Sequence, residues 1–237
     1  MVIRMGMIPN PPDKLAVFPH LEMGDQIISN GMCRVLAKSG RQMVWLCRMP
    51  YLQDVRAMFS DLSNVQVLGA MGYDDVKRRW ISVWPGALKL GSFRPKDFNM
   101  VRWDSEFYRH AGIPFIERWK SFALSASLLP KQLVEKKPVV LVHEDATRQY
   151  FVRENRLPKG LEVVRITRRP RFWDWLPDIL AATELHFIDS SFLNLAESLW
   201  HKGLLPNTRL VWHRYAKRYP VGESGGPTVQ APWEIFD

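Results

Sequence analysis

Glu184–Leu199 reads ELHFIDSSFLNLAESL. Leu185–Ile188 is a short apolar run of strand type, and Asp189-Ser190-Ser191 is turn and N-cap chemistry. Leu193, Leu195, Ala196 and Leu199 then fall close to helical spacing, with Asn194, Glu197 and Ser198 between them. A strand that enters a helix through two hydroxyl residues aims unpaired backbone N–H groups at one point. That point suits an anion such as a phosphate. An ordinary, well-capped strand–helix junction has the same local appearance.

The same grammar runs outward from this stretch. Upstream, Val139–Val142 is an apolar strand of the kind buried on both faces. Gln149–Asn155 is predicted as a short helix, Leu161–Ile166 as a strand and Phe172–Ala182 as a helix. Downstream, Leu210–Trp212 is a last strand and Gly222–Asp237 a loose tail. Ser125–Lys137, with Pro130 and a charged run, is the candidate linker. Before it the alternation appears once already. Leu15–Phe18, Gln42–Cys47 and Val65–Leu68 are strands, with helices over Gln26–Ser39 and Tyr51–Leu62. Tyr73–Trp80 reads as a short helix, Ile81–Trp84 as a strand and Pro85–Asn99 as a loop. A helix from Trp103 breaks at Gly112-Ile113-Pro114 and resumes at Phe115. The prolines of Met1–Lys14 mark an irregular arm.

Strands alternating with helices imply parallel βαβ units. The expected fold is α/β: two Rossmann-like domains, residues 1–127 and 128–237, with mostly parallel sheets facing an interdomain cleft. In such sheets ligands sit at the carboxyl ends of the strands. Three strand-to-helix turns then face the cleft: His20–Asp25, His143–Arg148 and Asp189–Ser191.

Composition narrows the chemistry. A hydrophobic content of 46% with 24% charged residues is that of a folded globular chain. Cys33 and Cys47 are too few for a disulfide framework or a metal set, and both are expected as buried thiols of a reducing compartment. The net charge of +9 favours polyanions, anionic membrane surfaces or phosphorylated small molecules. Basic residues gather at Lys77–Arg79, Arg165–Arg171 and Arg209–Arg218. They are not laid along one helix face and match no nucleic-acid motif, so no stable nucleic-acid partner is expected. The chain contains no GxGxxG, no GxxxxGK[ST], no HExxH, no CxxC and no DxD. The usual dinucleotide, P-loop and metal-held diphosphate signatures are therefore missing, and no metal or cofactor is expected.

The stretch LAVFPHLEMGDQIISNGMCRVLA, a strand followed by Gly-Asp at a helix start, resembles the N-terminal turn of GT-B glycosyltransferases of the lipopolysaccharide heptosyltransferase type. VVLVHEDATRQYF resembles that family's strand ending in a His and followed by a Thr and a basic residue. IDSSFLNLAESL resembles its Asp-Ser/Thr-Gly turn at the donor-phosphate helix. The resemblance implies Asp25 as general base, and Arg148, Ser190 and Ser191 on a donor diphosphate. It places Asp189 in the same turn and His143 near the base or ribose. The chain departs from the pattern in having Ser191 for the family's Gly and Asn194 where a His is frequent, and in being short for that fold.

Three functions follow as expectations. The first is a metal-independent glycosyltransferase, moving a sugar from a nucleotide-diphosphate donor to the hydroxyl of a glycan, lipid-linked or other acceptor. A carboxylate base with no nucleophile signature favours inversion. The second is a non-catalytic Rossmann-like protein holding a nucleotide or polyanion, and the third a nucleic-acid binder. The expected location is cytoplasmic, with peripheral contact to an anionic membrane open to the basic, Trp-rich parts.

Overall fold

The computed structural model describes residues 14–132, 135–215 and 226–237. The expected N-terminal arm up to residue 13, the end of the last basic run and the first part of the predicted tail lie outside the described residues.

The first half follows the predicted alternation. Lys14–Phe18 (β1) leads through a turn to two helices, Met23–Ile28 (α1) and Asn30–Ala37 (α2). Gln42–Arg48 (β2), Leu52–Met58 (α3) and Val65–Ala70 (β3) follow. Five consecutive residues of β2 are buried, as both faces of a central parallel strand require. Leu88–Lys89 (β4), placed in a loop by sequence, adds a two-residue pairing to β1. The sheet order is β3-β2-β1-β4, all parallel.

The expected helix over Gln26–Ser39 is divided at Ser29 by a residue far away in sequence. The Tyr108 hydroxyl donates to the Ile28 carbonyl at 2.7 Å and accepts the Met32 N–H at 3.3 Å. It thus occupies the rung that would join those two groups directly, and a side chain inserted into the ladder kinks a helix.

The expected strand over Ile81–Trp84 is a helix instead. Tyr73–Asp75 (α4) and Ile81–Val83 (α5) flank a π-helical turn, Val76–Trp80. The alternation of Ile81–Trp84 mimics a strand, but Trp80 and Trp84 stack at helical spacing, 5.5 Å apart and nearly coplanar. Trp103–Ala111 (α6) and Glu117–Lys120 (α7) close this half, with the predicted interruption between them. Phe107, Tyr108, Arg118 and Trp119 are buried, so this segment is core.

The second half contains Lys137–His143 (β5), Glu162–Arg165 (β6), Leu176–Ala181 (α8), Ala182–Ile188 (β7), Ser191–His201 (α9) and Arg209–His213 (β8). The tail expected to be loose carries a further strand, Glu234–Phe236 (β9), which pairs with β8. The order is β6-β5-β7-β8-β9, again all parallel. The helix expected over Gln149–Asn155 does not form. Gln149 adopts a left-handed φ of 56°, and Asp145 and Tyr150 exchange both backbone hydrogen bonds at 2.9 Å, making a tight reversal. Only Glu154–Arg156 forms a 3-10 turn.

The main apolar cluster is continuous through both halves, from Ile27, Trp45 and Phe107 to Phe187, Leu193 and Trp212. Polar bonds cross with it. Trp173 Nε1 donates to the Asp54 carbonyl at 2.8 Å, and the Phe172 N–H donates to Asp54 Oδ1 at 3.2 Å. Arg118 and Asp104, both essentially inaccessible to solvent, pair at 2.7 Å. Asp104 also accepts the Thr228 N–H at 2.6 Å, while Arg118 donates to the Thr228 carbonyl at 2.8 Å.

The polar positions of α9 are buried rather than solvent-facing. Glu197 accepts from the Gln230 N–H at 2.7 Å, the Ala231 N–H at 3.3 Å and Trp233 Nε1 at 2.7 Å. A buried carboxylate is tolerable only with such a set of donors. It fastens the C-terminal segment across the helix.

Candidate active site

In the first sheet the strand order reverses at β1, and in the second at the β5–β7 pair. Crevices open at the carboxyl ends of strands at such points. The two face each other across a cleft of about 630 Å³.

On the first side, the turn after β1 is fixed by a buried amide. Gln26 donates to the carbonyls of His20 (2.7 Å) and Leu46 (3.1 Å) and accepts from Trp45 Nε1 (2.7 Å). The Leu21 carbonyl accepts the Arg48 N–H at 3.1 Å. Glu22 stands at the N-cap position of α1 without a side-chain cap bond, Met23 and Gly24 follow, and Asp25 is the third helical residue, on the cleft wall. Its carboxyl is about 15% exposed. Burial, reinforced by the Glu22 charge, pushes its pKa up to about 8, against the pull of a hydrogen bond from the Glu22 N–H. Asp25 therefore serves both as the reach-back partner of the helix start and as a carboxyl poised near neutrality.

On the second side, β5 ends at His143, which rests on the Phe192 ring at 4.8 Å. Burial lowers its pKa to about 4, so the ring is neutral at pH 7. The reversal after it presents Arg148. That guanidinium is tied to Asp145 Oδ2 at 2.6 Å and to the Asp189 carbonyl at 3.0 Å. It also lies over Tyr150, which stacks on Tyr215 at 4.3 Å. Arg148 is thus preorganised but engaged, and a two-pronged grip on an anion would require it to release Asp145.

β7 delivers Asp189, Ser190 and Ser191. Asp189 Oδ2 accepts the Tyr215 N–H at 2.6 Å, which anchors the chain leaving β8. Ser190 is extended and accepts the Leu193 N–H at 3.4 Å as the N-cap of α9.

All six residues singled out in the sequence, Asp25, His143, Arg148, Asp189, Ser190 and Ser191, line this one cleft. His20 does not; it stands behind Asp25, with Nδ1 3.7 Å from Asp25 Oδ2. Glu22, inside the expected His20–Asp25 turn, lines the cleft too; sequence reasoning missed Tyr51 and Trp103 on the first side, and Gly226 and Pro227 from the C-terminal segment. Asn194, noticed in the sequence only as a departure, also lines the cleft. Its Oδ1 is 3.4 Å from Arg118 Nη2, which turns the amide nitrogen toward Gly24.

The charge of the lining is not that of the whole chain. Among the described lining residues Glu22, Asp25, Asp145 and Asp189 are acidic and Arg148 is the basic one. Three of these carboxylates are compensated: Glu22 by Arg48 at 2.8 Å, Asp145 by Arg148 and Asp189 by a backbone N–H. Asp25, pushed up to about 8 by burial, carries only part of a charge near neutral pH. The N-terminus of α9, an 11-residue helix capped by Ser190, adds the positive end of a helix dipole to this lining. No group of three or more His, Cys, Asp or Glu suited to hold a metal ion occurs among the described residues, and no helix there is long and apolar enough to cross a membrane.

No family model and no curated protein sequence matches the chain. The structure is similar to the crystal structure of a glycosyl transferase family 9 protein from Veillonella parvula, with a TM-score of 0.50 at 10% identity. The alignment covers 95% of this chain and 86% of that one. The likeness is one of fold: two Rossmann-like α/β halves with parallel sheets about a cleft, the GT-B arrangement.

Proposed function

We propose that the chain is a glycosyltransferase, moving a sugar from a nucleotide-diphosphate donor to an acceptor hydroxyl with inversion and without a metal. One observation carries the reading: Asp25, Arg148, Ser190 and Ser191, picked from three separate strand-end turns, line one cleft. In this reading Asp25 takes the proton of the acceptor hydroxyl as its oxygen attacks the anomeric carbon. A base that titrates near 8 is well matched to that task, since proton affinity and availability of the anion balance near neutral pH. The bond to the donor phosphate breaks on the opposite face of the sugar. Negative charge then develops on the leaving diphosphate, where the α9 N-terminus, the Ser190 and Ser191 hydroxyls and Arg148 would receive it. His143, neutral, would border the nucleoside, and Asp189 holds the turn in shape. The acceptor's identity, whether glycan, lipid-linked or other, belongs to the first side of the cleft.

The test is thermal melting with UDP, GDP, ADP and CMP in chelator. One of the diphosphates should raise the melting temperature, by mass action on the folded state. Asp25→Asn should keep that shift while abolishing turnover of the matching nucleotide sugar. No shift with any of the four would remove the reading, and a shift with no transfer to any acceptor would leave a nucleotide-binding protein.

A further inference from the structure

His20 is the buried group closest to Asp25 that the mechanism above does not use. Its ring is boxed by Phe107 at 4.6 Å, Phe98 at 5.6 Å and Tyr73 at 5.7 Å. Its Nε2 accepts the Ser92 N–H at 2.7 Å. The backbone reaches this close because Gly91 has a φ of +56°; a β-carbon there would stand 2.3 Å from Nε2. The preceding N–H, that of Gly91, is taken by His110 Nδ1 at 3.1 Å. Two successive backbone donors therefore fix two histidines.

A neutral imidazole whose Nε2 accepts a hydrogen bond carries its proton on Nδ1. That nitrogen is the one facing Asp25, 3.7 Å from Oδ2. Burial and the neighbouring His110 hold the His20 pKa down to about 4, so the ring stays neutral across the working range. The separation is one that a small side-chain rotation turns into a hydrogen bond once the carboxyl ionises.

We infer that His20 is a positioning residue for Asp25: locked as the Nδ1–H tautomer by the Ser92 backbone, it presents one fixed donor to Oδ2 and leaves the other carboxylate oxygen for the ligand. Its donor steadies the anion without supplying a proton. In the reaction proposed above, on which this role rests, the acceptor O–H bond breaks and an Asp25 O–H bond forms, while His20 keeps its hydrogen throughout. A doubly protonated ring would lose the Ser92 bond, so the tautomer and the backbone contact stand or fall together. The other titratable and charged groups facing the pair are Glu22 on the same turn, Tyr73 from α4 and His110 from α6, with Arg48 at the end of β2 paired to Glu22 behind them.

The test uses the full free chain. Long-range proton–nitrogen spectra of His20 at pH 7 should show the Nδ1–H tautomer; the Nε2–H pattern would overturn the assignment. Carbon-detected titration of Asp25 should then be compared in wild type, His20→Phe and His20→Asn. Asn places an N–H₂ where Nδ1 stood, whereas Phe offers no donor. The Asp25 midpoint should rise by about one pH unit in His20→Phe, about tenfold in proton affinity, and return close to wild type in His20→Asn. Equal midpoints in the two variants would overturn the inference. If His20→Phe does not fold, the wild-type tautomer decides alone. Nucleotide binding is scored separately. A correct tautomer and titration with no nucleotide shift would count against the glycosyltransferase reading and not against the dyad.

Discussion

A β-carbon built on Gly24 would stand 3.2 Å from the Asn194 amide nitrogen, and 3.6 to 3.7 Å from the backbone of Ser191. The N-termini of α1 and α9 thus meet almost backbone to backbone, one from each half. This contact brings the Asp25 turn and the Ser190–Ser191 turn to the same cleft.

Gly24→Ala should separate stability from binding. Alanine is the better helix former by about 0.5–1 kcal/mol, and the nearest atom it meets is the movable end of a side chain. The two effects should nearly cancel, leaving the melting temperature within about 3 °C of wild type. Affinity for the nucleotide diphosphate should nevertheless fall, because Asn194 is displaced into the cleft. A loss of several degrees together with unchanged affinity would contradict this account.

Tyr108→Phe removes the hydroxyl that sits between Ile28 and Met32. The freed carbonyl and N–H are buried, so the cost should be about 1–3 kcal/mol. Hydrogen exchange provides the discriminating readout. The Met32 amide should exchange faster, unless α1 and α2 straighten and bond directly, in which case Asp25 swings and nucleotide binding weakens instead.

Glu197→Gln puts an N–H₂ group against the donors of Gln230, Ala231 and Trp233. One buried donor then faces another, and the penalty should be about 2–4 kcal/mol. The damage should be local: proteolysis and exchange ought to rise across residues 228–236 before any other described segment. Uniform loosening of the whole chain would show that the segment is not held by this carboxylate.

The dependence of stability on pH has two opposed parts. His20, His143 and His213 are each held by burial at about 4, against 6.5 when unfolded. The unfolded chain binds these protons first, so stability falls as pH drops from about 6.5 to about 4. Asp25 has the other sign. Its folded value is about 8 against 3.8, so the folded state holds the extra proton and loses stability as pH rises through that range. Between pH 6.5 and 8, Asp25 alone of these four still acts. Unfolding free energies from urea titrations should fall over that window in the wild type, by at most about 1.4 kcal/mol per pH unit. They should stay flatter in Asp25→Asn, and parallel curves for the two proteins would refute the raised pKa.

Much of the fold was legible because parallel strands buried on both faces leave apolar runs such as Val139–Val142, although a short run can also belong to a helix, as Ile81–Val83 does. β4 and β9 were not legible, since two or three residues leave no periodicity and their pairing is decided by distant partners. Gln149–Asn155 misled because its composition suits a helix while the Asp145–Tyr150 reversal wins by tertiary contact. The candidate site was readable where chemistry sits beside a strand end, as at Asp25 and Asp189–Ser191. Trp103, Gly226 and Pro227 reach the cleft only through long-range packing. The burial of Glu197 and Asn194 was not legible because a buried carboxylate or amide is spelled the same as an exposed one; only its donors, 33 to 36 residues downstream for Glu197, tell the two apart.

The ion pair of Asp104 and Arg118, clasped from the other half by Thr228, makes hinged opening costly. Parting the halves would leave the pair intact but would take the Thr228 N–H and hydroxyl from Asp104 and the Thr228 carbonyl from Arg118, at about 1–3 kcal/mol for each group left buried and unpaired, in a fold whose whole margin is about 5–15 kcal/mol. The cleft should therefore behave as a standing aperture rather than a jaw. Ligands should enter by diffusion into a shape already present, with single-phase association and no slow gating step, and the backbone before and after capture should superpose to about 1 Å.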